Sequence, residues 1–520
     1  MKKLLLLLIS FCTLNIYAQT NKEYEEFVKN RNAEFQQYEQ SVNEEFSKFL
    51  EERWKEFNAM QGIPVPEKPK PDVMPNADDF KPAKPIKIDV EEIIKPTIIK
   101  EGEKITPEVS KIEEKHDRFE ENPTVSQAEI SAKPKSTFTT NALNFTLYNT
   151  KVETPSLSYF NARLNDVKEK NVSEFWNALD KANTSEVAEH LLTTKKQMQL
   201  NDWGFFNLCK ETVNTVFSRN SANEKTVCCV YLLNQCGYEI KMGRSDNRLI
   251  YLLPSEQQIF KQAYINLDNK RYYIFEHEDK QNQRYPSVFT YKFDFDKNAS
   301  KFNMNIYNPL NLESKNLKEV TKKINEVPVV LSNIAKNANA EISKSELSLE
   351  FKYNANIIDY YKNYPRTELI VYFNAAVDKS LSKSIKSQFE PFLKGKTELE
   401  SVNIILKFIN DNFKYKTDDD QFGYEKWFFC EENFYYPYGD CEDRSILFSW
   451  MVKELLSLDV VLLDYPKHIA TAVHFNENVS GDYVTVNGKK YVICDPTYFN
   501  AKAGMCMPQY KNEKAKIITR

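Results

Sequence analysis

The 520-residue sequence carries 70 Lys and Arg against 74 Asp and Glu, a formal net charge of -4. Near-neutrality over that length removes the electrostatic footprint of a nucleic-acid binder. Only 11 Gly beside 34 Phe and 29 Tyr exclude a low-complexity or fibrous chain, and the length predicts two or three domains.

The first residues, MKKLLLLLISFCTLNIYAQT, place Lys2 and Lys3 before a short apolar run and a small residue at Ala18. That is the pattern of a secretory signal peptide over 1–18, too short for a bilayer span. It predicts a secreted or periplasmic protein. A lipoprotein signal at Cys12 needs a small residue before the cysteine, and Phe11 stands there. No later stretch reaches ~20 unbroken apolar residues, so no transmembrane span is expected. Of nine cysteines, Cys12 leaves with the signal; those at 209, 228, 229, 236, 430, 441, 494 and 506 show no metal-binding spacing. An oxidising compartment permits disulfides, whose pairing the sequence does not assign.

Residues 19–61 predict one long amphipathic helix. Tyr24, Phe27, Phe35, Tyr38, Val42, Phe46, Phe49, Trp54 and Phe57 recur at three-to-four spacing among charges over 21–60. At 1.5 Å per residue it extends ~60 Å, either laid on another part of the chain or paired with a partner as a coiled coil. Residues 62–140, rich in Pro, Lys and Glu, predict an extended linker.

A first globular unit is expected over 141–284. Helical patterns run through SLSYFNARLNDVKEK, VSEFWNALDKA, SEVAEHLLTTKKQMQL, WGFFNLCKETVNTVFS and EKTVCCVYLLNQCG, the last closed by Gly237. Strand patterns follow in YEIKMGR, NRLIYLLP and QAYINLDNKRYYIFEH. Residues 285–380, with SELSLEFKYN and ELIVYFNAAV, predict a β-rich connection. The segment 381–520 repeats the first order: helices, one apolar helix (DCEDRSILFSWMVKELLSL), then strands DVVLLDY, HIATAVHF and DYVTVNGKKYVICDPTY. VNGKKYVICD matches LDNKRYYIFE, and DRSILFSWMV matches EKTVCCVYLL. The chain therefore reads as two copies of one α+β unit.

Three residues of the second unit carry candidate chemistry. Asp440 is an N-cap with Asp443 three residues on, which starts the helix at Cys441. A thiol in the first helical turn faces unpaired N–H groups and the positive dipole end, which favour the thiolate. A base must reach it, and of the five histidines two follow closely, His468 and His474, on one face of the same strand. If the strand ending at Asp495 runs antiparallel beside them, Asp495 lies near His468, with His474 about 20 Å away. His468 is then the base and His474 the alternative. Trp427 and Gln421 are candidates for a second oxyanion donor beside the backbone N–H of Cys441.

These residues carry a resemblance. GDCEDRSILFSWMVKELLSLDVVLL, HIATAV and DPTY together resemble the transglutaminase-like superfamily of cysteine enzymes, over roughly 395–500. Gly439, Cys441 and Asp443 match its nucleophile motif, and Asp495, Pro496 and Thr497 its acid motif. Ile469 and Ala470 follow the histidine where many members have an aromatic. The resemblance implies a papain-like core, a Cys441–His468–Asp495 triad and acyl transfer at a peptide or protein amide through a thioester, with hydrolysis favoured over crosslinking. A cell-wall peptide is one substrate within reach of an exported enzyme. In the first copy Cys441 aligns with Ala222, His468 falls near Asn247 and Asp495 near Glu276, so that copy is expected to be degenerate. No metal cluster or phosphate loop is visible, and no cofactor is expected. The alternative is a non-catalytic cell-envelope scaffold with two degenerate units.

Overall fold

The computed structural model describes residues 74–80, 84–95, 142–157, 160–182, 184–267, 269–278, 285, 287–291, 299–325 and 346–520. All belong to one compact unit, Pro66–Arg520. The signal segment 1–18 and the helix expected over 19–61 lie outside the described residues. The architecture is mixed α+β, with two separate antiparallel-rich sheets, each backed by an apolar helix.

In chain order the described elements are β1 (Val90–Ile94), β2 (Ala142–Leu147), β3 (Thr150–Pro155), α1 (Glu169–Asp180), α2 (Ser185–Met198), α3 (Asp202–Val216) and α4 (Ala222–Gln235). Then come β4 (Lys241–Ser245), β5 (Arg248–Pro254), β6 (Tyr264–Leu267), β7 (Lys270–Phe275) and β8 (Phe289–Thr290). The middle holds β9 (Leu317–Asn325), β10 (Glu346–Asn354), α5 (Ala355–Lys362) and α6 (Leu369–Asn374). The last part holds α7 (Lys379–Leu393), α8 (Glu398–Asn412), β11 (Lys414–Tyr415), α9 (Asp418–Phe422), α10 (Glu432–Tyr435), β12 (Tyr438–Gly439) and α11 (Cys441–Leu456). It ends with β13 (Asp459–Tyr465), β14 (His468–His474), β15 (Tyr483–Val486), β16 (Lys489–Ile493) and β17 (Ala515–Ile518).

The first sheet has the order β6-β7-β5-β4-β8 and the second β1-β17-β13-β14-β16-β15. β13 and β14 are continuous apolar runs buried on both faces, as central strands require. Two-residue turns set the register. Asn487 and Gly488 both take positive φ between β15 and β16, the combination a tight hairpin needs. α11 is buried without interruption from Cys441 to Val452, so its sequence lacks a polar stripe.

Three expectations are corrected. The first globular unit opens with the β2–β3 hairpin, and residues 160–166 are irregular, with no helix before α1. There the alternation of ALNFTL and TKVETP sets the local structure. ELIVYFNAAV forms the short helix α6, fully buried over Leu369–Phe373, so an apolar run that reads as a strand is here a core helix. Among the described residues the connection is thus the short strand β8, one hairpin, β9–β10, and two helices.

The third correction concerns the linker. Residues 74–80 and 84–95 pack on the second sheet. β1 pairs in parallel with β17, and at the start of β15 Ile88 N donates to the Tyr483 carbonyl while Tyr483 N donates to the Ile86 carbonyl. Ile88 and Ala77 are buried in the same core as Leu463, Val484, Tyr498 and Ile517. The apolar residues scattered between prolines (Met74, Ile86, Ile88, Val90, Ile93) are the ones that dock, so burial overrides the extended-linker composition.

Candidate functional site

α11 begins at the sulfur because of its cap. The Asp440 N–H donates to Asp443 Oδ2 at 3.1 Å, and Asp443 Oδ1 accepts from Phe428 N at 2.8 Å. Asp443 is therefore a structural acceptor that ties the helix start to the preceding segment. One turn later, Ser445 Oγ donates to the Ile469 carbonyl at 3.1 Å and pins the helix against the start of β14. Cys441 is 0% exposed. Its Sγ lies 2.9 Å from Glu442 Oε2, so the thiol donates to its own neighbour's carboxylate.

His468 is the first residue of β14, paired with Tyr465 across a two-residue turn in which Lys467 has φ 69°. Its Nε2 lies 2.8 Å from Asp495 Oδ2. A proton on Nε2 leaves a lone pair on Nδ1, which is buried and has no hydrogen-bond partner among the described residues. Asp495 is itself fixed: its Oδ1 accepts from Thr497 N at 2.9 Å and Tyr498 N at 3.3 Å. The register behind this is the antiparallel one, with Ala472 opposite Ile493 and Val473 opposite Val492. His474 ends the strand, its Nδ1 facing the Lys490 carbonyl at 2.9 Å. Of the two histidines, His468 is the one that meets Asp495.

Two further groups stand by this pair, and no local motif marks either of them as part of a site. Tyr510, from the 3-10 turn Pro508–Tyr510, stacks on the His468 ring with centroids 4.9 Å apart and planes 17° apart. Burial, with Cys441 and Asp495 nearby, pushes its phenol up to about 12. Arg444 is buried in α11, donating to Asn410 Oδ1 at 3.2 Å. Desolvation lowers its guanidinium to about 10, against the pull of Asp495, Tyr415 and Cys441. It supplies positive charge among many carboxylates.

Trp427 does not face the sulfur as a free donor. Its indole N–H donates to Glu425 Oε1 at 2.9 Å, and the ring packs on Phe260 and Tyr372. Gln421 Nε2 faces the Tyr438 carbonyl at 3.4 Å. Two groups of buried side chains have ligand atoms close enough for a cation: Asp440, Cys441 and Glu442, and Asp418, Asp440 and Asp443. Oxygens of Asp443 and Asp418 already accept from backbone N–H groups.

The first sheet carries a parallel arrangement. Ser245 pairs with Arg248 across a two-residue turn as Tyr465 pairs with His468, so Arg248, one residue past Asn247, is the counterpart of His468. Leu252 faces Ile274 as Ala472 faces Ile493; two residues on stand Glu276 and Asp495. Arg248 Nη1 and Glu276 Oε1 lie 2.5 Å apart. Ala222 opens α4 after the N-cap Ser221, as Cys441 opens α11 after Asp440. An ion pair thus occupies the positions of the imidazole–carboxylate pair, and no thiol stands at the helix start.

No helix among the described residues is long and apolar enough to cross a membrane. No known family model, no curated protein and no solved structure matches this chain.

Proposed function

We propose that the C-terminal unit is a cysteine enzyme of transglutaminase-like type acting on peptide or protein amides. On this reading the two sheets with their helices are two copies of a papain-like core. The second copy is catalytic, and the first has replaced its site by Arg248 and Glu276. The signal pattern at 1–18 makes the enzyme an exported one.

The observation that carries the reading is the buried His468–Asp495 pair with Nδ1 unpartnered among the described residues, on a strand that Ser445 pins to the helix beginning at Cys441. Nδ1 takes the Cys441 proton, and the sulfur attacks the amide carbonyl carbon. Charge develops on the carbonyl oxygen, where the backbone N–H at the helix start stabilises it. The carbon–nitrogen bond breaks as His468 returns the proton to the departing amine, leaving a thioester. His468 then deprotonates water, which attacks the thioester and frees the acid and the thiol. Asp495 holds the ring and its tautomer and stabilises the imidazolium. A primary amine in place of water makes the same chemistry a crosslinking reaction; hydrolysis is the favoured outcome.

One observation favours a scaffold instead: the sulfur is buried and its proton is directed to Glu442. Iodoacetamide labelling across pH separates the two. Selective labelling of Cys441 with onset below the ordinary thiol range, lost in His468→Ala, is the expected result. Labelling unaffected by His468→Ala sinks the enzyme reading.

A further inference from the structure

The turn that holds Asp495 is gripped from outside by a segment some 400 residues upstream. Ala77 N donates to the Phe499 carbonyl at 2.9 Å, and Phe499 N to the Pro75 carbonyl at 3.3 Å. Asn500 Nδ2 donates to Asp78 Oδ2 at 2.7 Å and approaches Asn76 Oδ1 at 3.4 Å. Phe80 meets Tyr498 edge to face at 6.5 Å, and Ala77 is buried beside Tyr498. These partners directly follow Thr497 and Tyr498, whose N–H groups fix Asp495 Oδ1.

The same segment is anchored a second time. Ile86 N donates to Asp482 Oδ1 at 2.9 Å, and Asp482 Oδ2 accepts from Cys506 N at 3.0 Å and from Lys511 Nζ at 2.8 Å. Beyond it, β1 runs along β17. Asp482 and β17 flank the stretch that carries Tyr510 onto His468. Both supports of the imidazole, the Asp495 turn and the Tyr510 turn, are therefore braced by residues 74–80 and 84–94.

We infer that residues 74–80 and 84–94 are a positioning element of the site: by clamping residues 498–500 they fix the Asp495 carboxylate, and through it the His468 ring that serves Cys441. A carboxylate that swings by about an ångström loses the imidazole, and misplacement of that size costs orders of magnitude in rate. The clamp rests on the functional reading only for its consequence at Cys441; its effect on the turn stands alone.

The test uses the full-length chain with Asn76→Ala, Asp78→Ala and Phe80→Ala combined, and Glu92→Ala on the exposed side of β1 as a control. Amide exchange over 496–501 reads the turn, and the pH profile of Cys441 alkylation reads the site. The expected result is exchange faster by about tenfold at 496–501, against little change in β13 and β14. His468-dependent alkylation falls by about tenfold with it. Unchanged exchange at 496–501 overturns the clamp. Faster exchange with unchanged alkylation overturns its coupling to the site. If alkylation of the unmodified chain ignores His468→Ala, the enzyme reading fails, and the exchange measurement still decides whether the clamp exists. A general loss of melting temperature, with exchange raised equally throughout, assigns the segment a structural role only and overturns the inference.

Discussion

The Cys441 sulfur and the Glu442 carboxylate stand 2.9 Å apart, and this contact, between adjacent residues at a helix start, directs the thiol proton away from His468. A carboxylate at that distance disfavours the thiolate that the helix dipole favours. Glu442→Gln removes the charge and keeps the size. The variant is expected to alkylate at Cys441 faster, on the order of tenfold near pH 6, because the opposing negative charge is removed. Rates from intact-mass time courses measure it. A slower variant makes Glu442 the group that takes the thiol proton, which displaces His468 from that role.

Asp495 serves two neighbours with two oxygens, so Asn and Ala at this position have different effects. Asn keeps an acceptor for the Thr497 and Tyr498 N–H groups and presents an amide NH2 to His468. That contact moves the ring proton to Nδ1, where the proposed mechanism requires a lone pair. Asp495→Asn is expected to lose roughly 10²- to 10⁴-fold in turnover with little change in melting temperature. Asp495→Ala leaves buried donors unmet and costs about 1–3 kcal/mol of stability in addition. Thermal unfolding beside activity separates the two, and equal activity in all three chains removes Asp495 from the mechanism.

The other described cysteines provide an internal comparison. Burial pushes the thiols of Cys209, Cys228, Cys430 and Cys494 up, and those of Cys236 and Cys506 to about 12. Deprotonating any of them means placing charge in an apolar core. In the native protein at pH 7 to 8, peptide mapping is expected to find Cys441 alkylated first, the others reacting only as the chain unfolds. Comparable rates at Cys430, Cys494 and Cys506 would make Cys441 another inert core thiol.

Local rules explain what the sequence revealed. The helix at Cys441 was legible because an N-cap aspartate, a second aspartate three residues on and a long apolar run coincide. β13 to β16 were legible from alternating or continuous apolar runs and an Asn-Gly turn that sets the β15–β16 register. The pairing of β14 with β16, which brings His468 to Asp495, was a choice that the strand patterns left open. What failed depends on distant packing. Tyr510 reaches His468 from a turn with no sequence signal. Residues 74–80 and 84–94 read as spacer because prolines dominate the composition there, while their few apolar side chains complete a sheet formed hundreds of residues later. The sequence match puts the His468 position near Asn247, and the pairing of Ser245 with Arg248 puts the next residue, Arg248, at the equivalent place after its two-residue turn.

A buried carboxyl just upstream of the site gives the stability a pH dependence. Burial pushes Glu431 up to about 8, reinforced by Asp378 and Glu432 and opposed by the Asp378 N–H that its Oε1 accepts at 2.6 Å. Between its ordinary value and about 8 the native carboxyl stays protonated while the unfolded one ionises, so the native state holds one more proton. Stability from this group is then full at acid pH and declines as pH rises through that window, levelling off above about 8. At about 1.4 kcal/mol per pH unit, the loss amounts to roughly 3 kcal/mol by pH 7. Glu431→Gln keeps the acceptor for Asp378 N and cannot ionise. It is expected to match the parent chain near pH 4.5 and to exceed it by a few kcal/mol at pH 7.5 in denaturant melts. Asp378 and Glu432, also raised by burial, titrate in both chains, so the difference between the two curves isolates Glu431. Parallel curves at all pH values would mean that Glu431 is charged in the folded protein, with its ionised form balanced by Lys426 or another cation.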